Sequence, residues 1–230
     1  MYFTHADDIW TAHPGLHALA LSVDQLTSAE SDQAQLHDLA ERIERRQERL
    51  AEADMPEIAA WREAFSRMGL KPTQYRCASE ALLRRYRKDK SLPSFHPVVD
   101  YLNHVSMAYG IPIAVFDTAH IGSGITVRPA TGTEGYETFQ GAVENPAPGE
   151  VVFADPDGHA HSRRWTFRQS ARSAVSKDSR SALIVAEAHH DSADADLAAM
   201  EDELKAGLSV LGATLGGSTL LTASHRRFEF

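Results

Sequence analysis

The chain has 230 residues, 43% of them hydrophobic and 24% charged, with a formal net charge of −9. That mixture supplies a buried core and excludes wholesale disorder, while the acidic balance excludes indiscriminate affinity for nucleic acid. The one cysteine, Cys77, excludes an internal disulfide and any zinc site that needs two thiolates from this chain.

Leu16 to Val23 is a short apolar run closed by Asp24, which reads as a buried first strand. Between Ser31 and Ala53, the residues Leu36, Leu39, Ile43 and Leu50 share one side of a charge-rich helix that Pro56 ends. Ile58, Trp61, Phe65 and Met68 follow at spacings of three, four and three. Gly69 then supplies a left-handed cap for this second helix. Ser79 to Lys88 reads as helical, and Pro97 in a first turn opens another helix to about Tyr109. Asp100 and Asn103 lie side by side on one face of it. Downstream the pattern turns extended, over Ile111 to Asp117, Ile125 to Arg128, Glu150 to Asp155, His159 to Trp165 and Ala182 to Glu187. Pro156-Asp157-Gly158 is the hairpin turn in this run. A last helix is expected from Asp194 to Leu211, striped by Leu197, Met200, Leu204, Leu208 and Leu211. The tail from Gly216 to Phe230 fits either a packed end or an interaction segment.

These elements predict an α+β fold, a central mostly antiparallel sheet with flanking helices, as one domain over 1–230. No stretch approaches the ~20 apolar residues of a membrane span. Met1 to Asp8 lack the regions of a secretory signal, so no membrane association and a cytoplasmic location are expected. Nothing in the sequence reads out the oligomeric state.

Charge is unevenly placed. From Arg62 to Lys90 nine basic residues face three acids, and from Arg163 to Arg180 six face one. Either run alone fits a solvated face; together they can make one positive face on an acidic protein. His159 with His161, and His189-His190 with Asp191, bring imidazoles close in sequence. No motif fixes a third ligand, so neither a metal nor another cofactor is expected. His96 at a helix entry fits a turn-positioning residue or a base.

His96-Pro97-Val98-Val99-Asp100-Tyr101-Leu102-Asn103, followed by Gly110-Ile111-Pro112-Ile113-Ala114-Val115-Phe116-Asp117, resembles the V-D-x-x-N helix and P-x-x-x-F-D strand of a known domain. That domain is the B3/B4 editing domain of the phenylalanyl-tRNA synthetase beta subunit. Gly124 to Ala130 with Gly132, Glu134 and Phe139 is similar to its next stretch. Glu150 to Asp155 is similar to a further strand, and Ser173 to Ser176 with Glu187 to its closing motif. The resemblance covers about Arg76 to Glu187. Tyr75-Arg76, Ser79-Glu80, Arg163-Arg164-Trp165 and Arg168-Gln169-Ser170 look more like the free-standing branch of the family.

The resemblance implies binding of an aminoacylated tRNA 3′ end and hydrolysis of a wrongly attached amino acid, as a deacylase acting in trans. A non-catalytic tRNA- or RNA-binding module and a hydrolase of a small aminoacyl compound are the other readings. Where the family strand carries a pocket histidine this chain has Ala114. Arg168-Gln169-Ser170-Ala171 stands where the family has a glycine-rich segment bearing a glutamate. Both differences imply a reorganised pocket around Asn103.

Ester hydrolysis needs an oriented water, donors for the developing oxyanion and recognition of the amino acid. With no Gly-x-Ser-x-Gly elbow, a positioned water is favoured over a covalent intermediate. Asn103 offers two donors and an acceptor for the ester or the terminal adenosine, and Glu134 is the candidate for the substrate ammonium or the water. These two are the expected catalytic residues. Arg76 and Arg168 suit phosphate or ribose contacts, and Glu80, Asp100 and Asp117 complete the expected binding set.

Overall fold

A computed structural model describes residues 1–26 and 32–230. The position expected to start the first long helix, Ser31, lies outside the described residues. The chain runs β1 (Tyr2–His5), α1 (Asp7–Ala12), β2 (His17–Gln25), α2 (Gln33–Arg49), α3 (Pro56–Arg67), α4 (Ala78–Asp89), α5 (Pro97–Tyr109) and β3 (Ile113–Asp117). It continues through β4 (Gly124–Pro129), β5 (Tyr136–Glu137), β6 (Val143–Glu144), β7 (Val151–Ala154), β8 (Ala160–Arg163), β9 (Arg168–Gln169), β10 (Ala182–Ala188), α6 (Ala193–Val210), β11 (Thr214–Leu221) and β12 (Arg227–Glu229).

The fold is α+β and layered. A four-stranded antiparallel sheet, β11-β2-β10-β3, lies between helices and a six-stranded sheet, β12-β1-β4-β7-β8-β9. In the six-stranded sheet only β1 and β4 pair in parallel. Side-chain alternation sorts the residues of the middle sheet to its two faces. Leu19, Leu21, Val23, Ile184 and Ala186 join the helical core, with Leu39 and Ile43 of α2, Val98, Leu102 and Val105 of α5, and Leu197, Leu204 and Leu208 of α6. Ala18, Ala20, Leu183 and Val185 face the other way. There they meet Phe3, Phe153, Trp61, Phe65 and Trp165 between the sheets.

Local chemistry explains the helix ends. Asp32 caps α2 by accepting from the Ala34 amide at 2.9 Å, and Gly69 turns α3 off at φ 76°. The His96 ring accepts from the Val98 amide at 3.2 Å, so its role is to cap α5, with Pro97 in the first turn and Gly110 at φ 72° closing the helix.

Two expectations are corrected and one open alternative is decided. The expected first strand is the second, because β1 and α1 precede it. The strand expected through Trp165 ends at Arg163, because Arg164 and Trp165 both take left-handed backbone, at φ 47° and 60°. The tail is a packed end: β11 borders β2, and β12 pairs with β1, joining both termini of the chain to one sheet.

Candidate functional site

Half-buried Asn103 stands at the junction of two hollows. The larger, about 540 Å³, is lined by Phe95, Val99, Asn103, Val115, Phe139, Gln169, Ala174 and Val175. Asn103 also lines a smaller one of about 140 Å³, with Gln33, Ser94, Asp100 and His104 among its walls. Helix α5 supplies Val99 and Asn103 one turn apart, β3 supplies Val115, and β9 supplies Gln169. Gln169 is fixed: its Nε2 donates to the Val115 carbonyl at 2.6 Å, tying β9 to the free edge of β3. The Asn103 amide makes no hydrogen bond among the described residues, so its donors and acceptor are open to a ligand. No lining residue of the larger hollow is titratable.

The neighbouring hollow carries the charge. Asp100 accepts from the Ser94 hydroxyl and from the Phe95 amide at 3.0 Å, which fixes the loop that brings Phe95 to the larger cavity. His104, one turn on, is 2.7 Å from the Asp100 carbonyl through Nδ1. A carbonyl only accepts, so Nδ1 carries the proton and Nε2 is the free acceptor. Sequence reasoning missed His104 and gave no role to Gln169, although the family resemblance had put the Arg168 to Ala171 segment in the reorganised pocket. The helical spacing of Asp100 and His104 was a usable signal for the first; the second depends on a strand of two residues.

The other expected residues lie apart from this cavity. Glu134 is fully buried and accepts from the Thr131 and Gly132 amides, the Thr131 hydroxyl and the Arg128 guanidinium, the last at 2.6 Å. Burial alone would raise its pKa. The Thr131 amide and Arg128 outweigh that and hold it at about 2, which makes Glu134 the anchor of the 131–134 turn. Asp117 accepts from the Ala119 amide at 2.9 Å and the Ser179 hydroxyl at 2.6 Å at the end of β3. Glu80 is buried, accepting from Arg62 at 2.8 Å and Arg84 at 2.9 Å, with Arg76 3.6 Å away. Arg168 is exposed at the start of β9.

Behind the cavity runs a buried polar layer. His161 bridges Ser173 Oγ at 2.9 Å and Asp155 Oδ2 at 3.2 Å, in the order of a serine-hydrolase relay. Both Ser173 and His161 are fully buried, so this chain of hydrogen bonds ties β8 to the 171–176 loop rather than meeting an ester. Glu187 accepts from His5 Nε2 at 2.6 Å and Trp165 Nε1 at 2.9 Å. Of the imidazoles singled out in the sequence, His190 meets Asp196 at 2.8 Å, with Glu57 within 4.8 Å. Arg46, 2.7 Å from Glu57, already brings a cation to that group. Burial pushes the Cys77 thiol up to about 11, an unreactive state.

No helix is long and apolar enough to cross a membrane among the described residues. No curated protein matches the chain. In fold it is similar to an N-terminal fragment of the phenylalanyl-tRNA synthetase beta-subunit from Pyrococcus horikoshii, at 10% identity and a TM-score of 0.49. That match covers 93% of this chain and 49% of the other, so the chain spans about half the length of the fragment. A family model described as the B3/4 domain matches residues 60–200, well over half of the sequence, and the chain belongs to the B3/4 domain family.

Proposed function

We propose that the protein is a deacylase acting in trans on aminoacyl-tRNA, taking the aminoacylated 3′ end at Asn103. The observation that carries this reading is an uncommitted amide at the meeting point of an apolar cavity and a polar one. The larger hollow suits an uncharged amino acid side chain. Asp100 in the smaller one offers negative charge to the substrate ammonium. Asn103 N–H donates to the ester carbonyl oxygen as it gains charge. Water, deprotonated by His104 Nε2, attacks the carbonyl carbon. The bond to the ribose oxygen then breaks, and that oxygen takes the proton, releasing amino acid and tRNA. The terminal ribose hydroxyl is a second route for that proton.

A binding module without hydrolysis is the second reading, favoured by the lack of any titratable side chain lining the larger cavity. The test is a panel of tRNAs carrying correct or incorrect labelled amino acids, with loss of the ester followed over time. Hydrolysis of a subset supports the deacylase. Tight binding with every ester intact overturns it in favour of the module, and cleavage of small aminoacyl esters alone points to a small-molecule hydrolase.

A further inference from the structure

Away from the cavity, the two basic runs of the sequence come together. Tyr75, in the loop before α4, meets Phe167, in the turn between β8 and β9, edge to face at a centroid separation of 5.3 Å. The Arg164 guanidinium lies over both rings, 4.8 Å from the Tyr75 centroid and 5.9 Å from that of Phe167. All three residues are half-buried, so part of each stays in contact with solvent. Among the described residues the Arg164 guanidinium has no carboxylate partner, and neither do two exposed cations, Lys71, whose carbonyl accepts from the Tyr75 amide, and Arg168, next to Phe167 in sequence. Arg62, Arg76 and Arg84 share the single carboxylate of Glu80, which leaves that end of α4 cationic as well.

The backbone here is strained. Arg164 and Trp165 are consecutive non-glycine residues at positive φ; Lys90, the other such residue described, is a helix C-cap. Left-handed backbone at such residues is unfavourable and persists only where the surroundings enforce it. Three anchors do so. The Trp165 amide donates to the Val151 carbonyl at 2.7 Å, its indole N–H donates to Glu187 at 2.9 Å, and the Arg164 amide donates to Glu150 at 3.1 Å. The turn thus sinks Trp165 between the sheets and holds the Arg164 guanidinium on the two rings.

From this arrangement we infer a second binding site, for the phosphates and unstacked bases of a single-stranded RNA segment, at Tyr75, Arg164 and Phe167 with Lys71 and Arg168 at its border. It rests on the proposed deacylase only for the identity of that RNA as the tRNA 3′ end. Cations alone would fit an acidic protein equally well. The half-buried aromatic pair and a planar guanidinium with unused donors decide for RNA, since bases stack on such groups while the cations meet phosphates. A duplex offers no free base face, so a single strand is the better ligand. The −9 charge of the whole chain disfavours RNA on its acidic surfaces, which leaves binding to cationic patches such as this one.

The test is fluorescence anisotropy with uncharged tRNA and with a short single-stranded RNA copied from its 3′ end, over a salt series. The informative variant is Arg164→Gly, which removes the guanidinium and relieves the left-handed backbone, so it unfolds in urea no earlier than the native chain. It is expected to weaken binding about tenfold. Arg168→Gln is expected to make the dependence of log affinity on log salt shallower by about 0.7 for each phosphate that the protein no longer neutralises. Native affinity in both variants, no RNA binding by the native chain, or competition by polyglutamate as strong as by RNA would each overturn the site. The two proposals fail separately. An aminoacyl-tRNA that binds through Arg164 and keeps its ester sinks only the deacylase, whereas native hydrolysis and affinity in Arg164→Gly sink only the RNA site.

Discussion

Two regions that meet at the 173–175 segment handle polar groups in opposite ways. Around Asn103 there is space and almost no charge: a cavity of about 540 Å³ with two amides on its wall, one of them uncommitted. Between the sheets there is charge and almost no space. His5, Glu187, Asp155, His161 and Ser173 are buried there and held in hydrogen-bonded groups. The hollow beside Glu187 and Trp165 is only about 60 Å³. A residue that looks catalytic by type is therefore structural where it is fully partnered. The Asn103 side-chain amide, by contrast, has no hydrogen-bond partner among the described residues.

The largest effect is expected from Glu187→Ala. It strands the His5 and Trp165 donors between the sheets, and removing one member of a buried pair costs about 3–5 kcal/mol. A large fall in the urea midpoint is expected, with activity per folded molecule retained. Lost activity in a fully stable variant would place Glu187 in the chemistry instead. Asn103→Ala is expected to do the reverse. Removing one oxyanion donor lowers turnover about 10²-fold or more, and the melting temperature stays close to native because the amide has no partner to lose among the described residues. Retained hydrolysis in this variant would dismiss the site.

Acid sharpens the same contrast. Burial, helped by the nearby charge of Arg67, pushes His13 down to about 4. Burial, then His13 and Arg67, pushes His189 well below the ordinary histidine value. The unfolded chain takes up these protons below about 6.5 and the fold does not, so stability falls as pH drops from about 6.5 to about 4. Glu134 acts lower. Its contribution is full above the ordinary carboxylate range and is lost as pH falls from 4.5 toward about 2. Urea midpoints measured across pH should fall in these two windows, and His13→Phe should flatten the upper one. A flat profile from pH 7 to 4 would contradict the buried neutral imidazoles.

How much of this the sequence carried depends on how local each cause was. Helix α5 was legible because Pro97, the apolar spacing and Gly110 all lie within it or at its end, and the same spacing set Asp100 beside Asn103. Strand β1 was not: four residues acquire their meaning from β4 and β12, which lie far along the chain. Strand β11 hid behind Gly216-Gly217, where its pairing to β2 shifts register. Glu80 was legible as an acid on a helix. That it is buried among Arg62, Arg76 and Arg84 follows from how α3, the loop after it and α4 pack together, which periodicity does not report. The cavity itself draws on several separate segments; the family motifs pointed to most of them, but their meeting around one hollow depends on packing that the sequence pattern does not report.

The smallest expected effects come from the cavity rim, and they are informative because they are small. Phe95 and Phe139 are 74% and 68% exposed yet line the cavity. Such rings contribute little to folding, so Phe95→Ala and Phe139→Ala should change stability by no more than about 0.5 kcal/mol. An exposed aromatic at a cavity mouth becomes packed only when a ligand covers it. A KM raised several-fold with unchanged kcat is therefore expected in the deacylation assay, since stacking or apolar packing made equally in ground and transition states shows in KM alone. A drop in kcat without a change in KM would move these rings from the rim to the reacting centre, and would shift the ester away from Asn103.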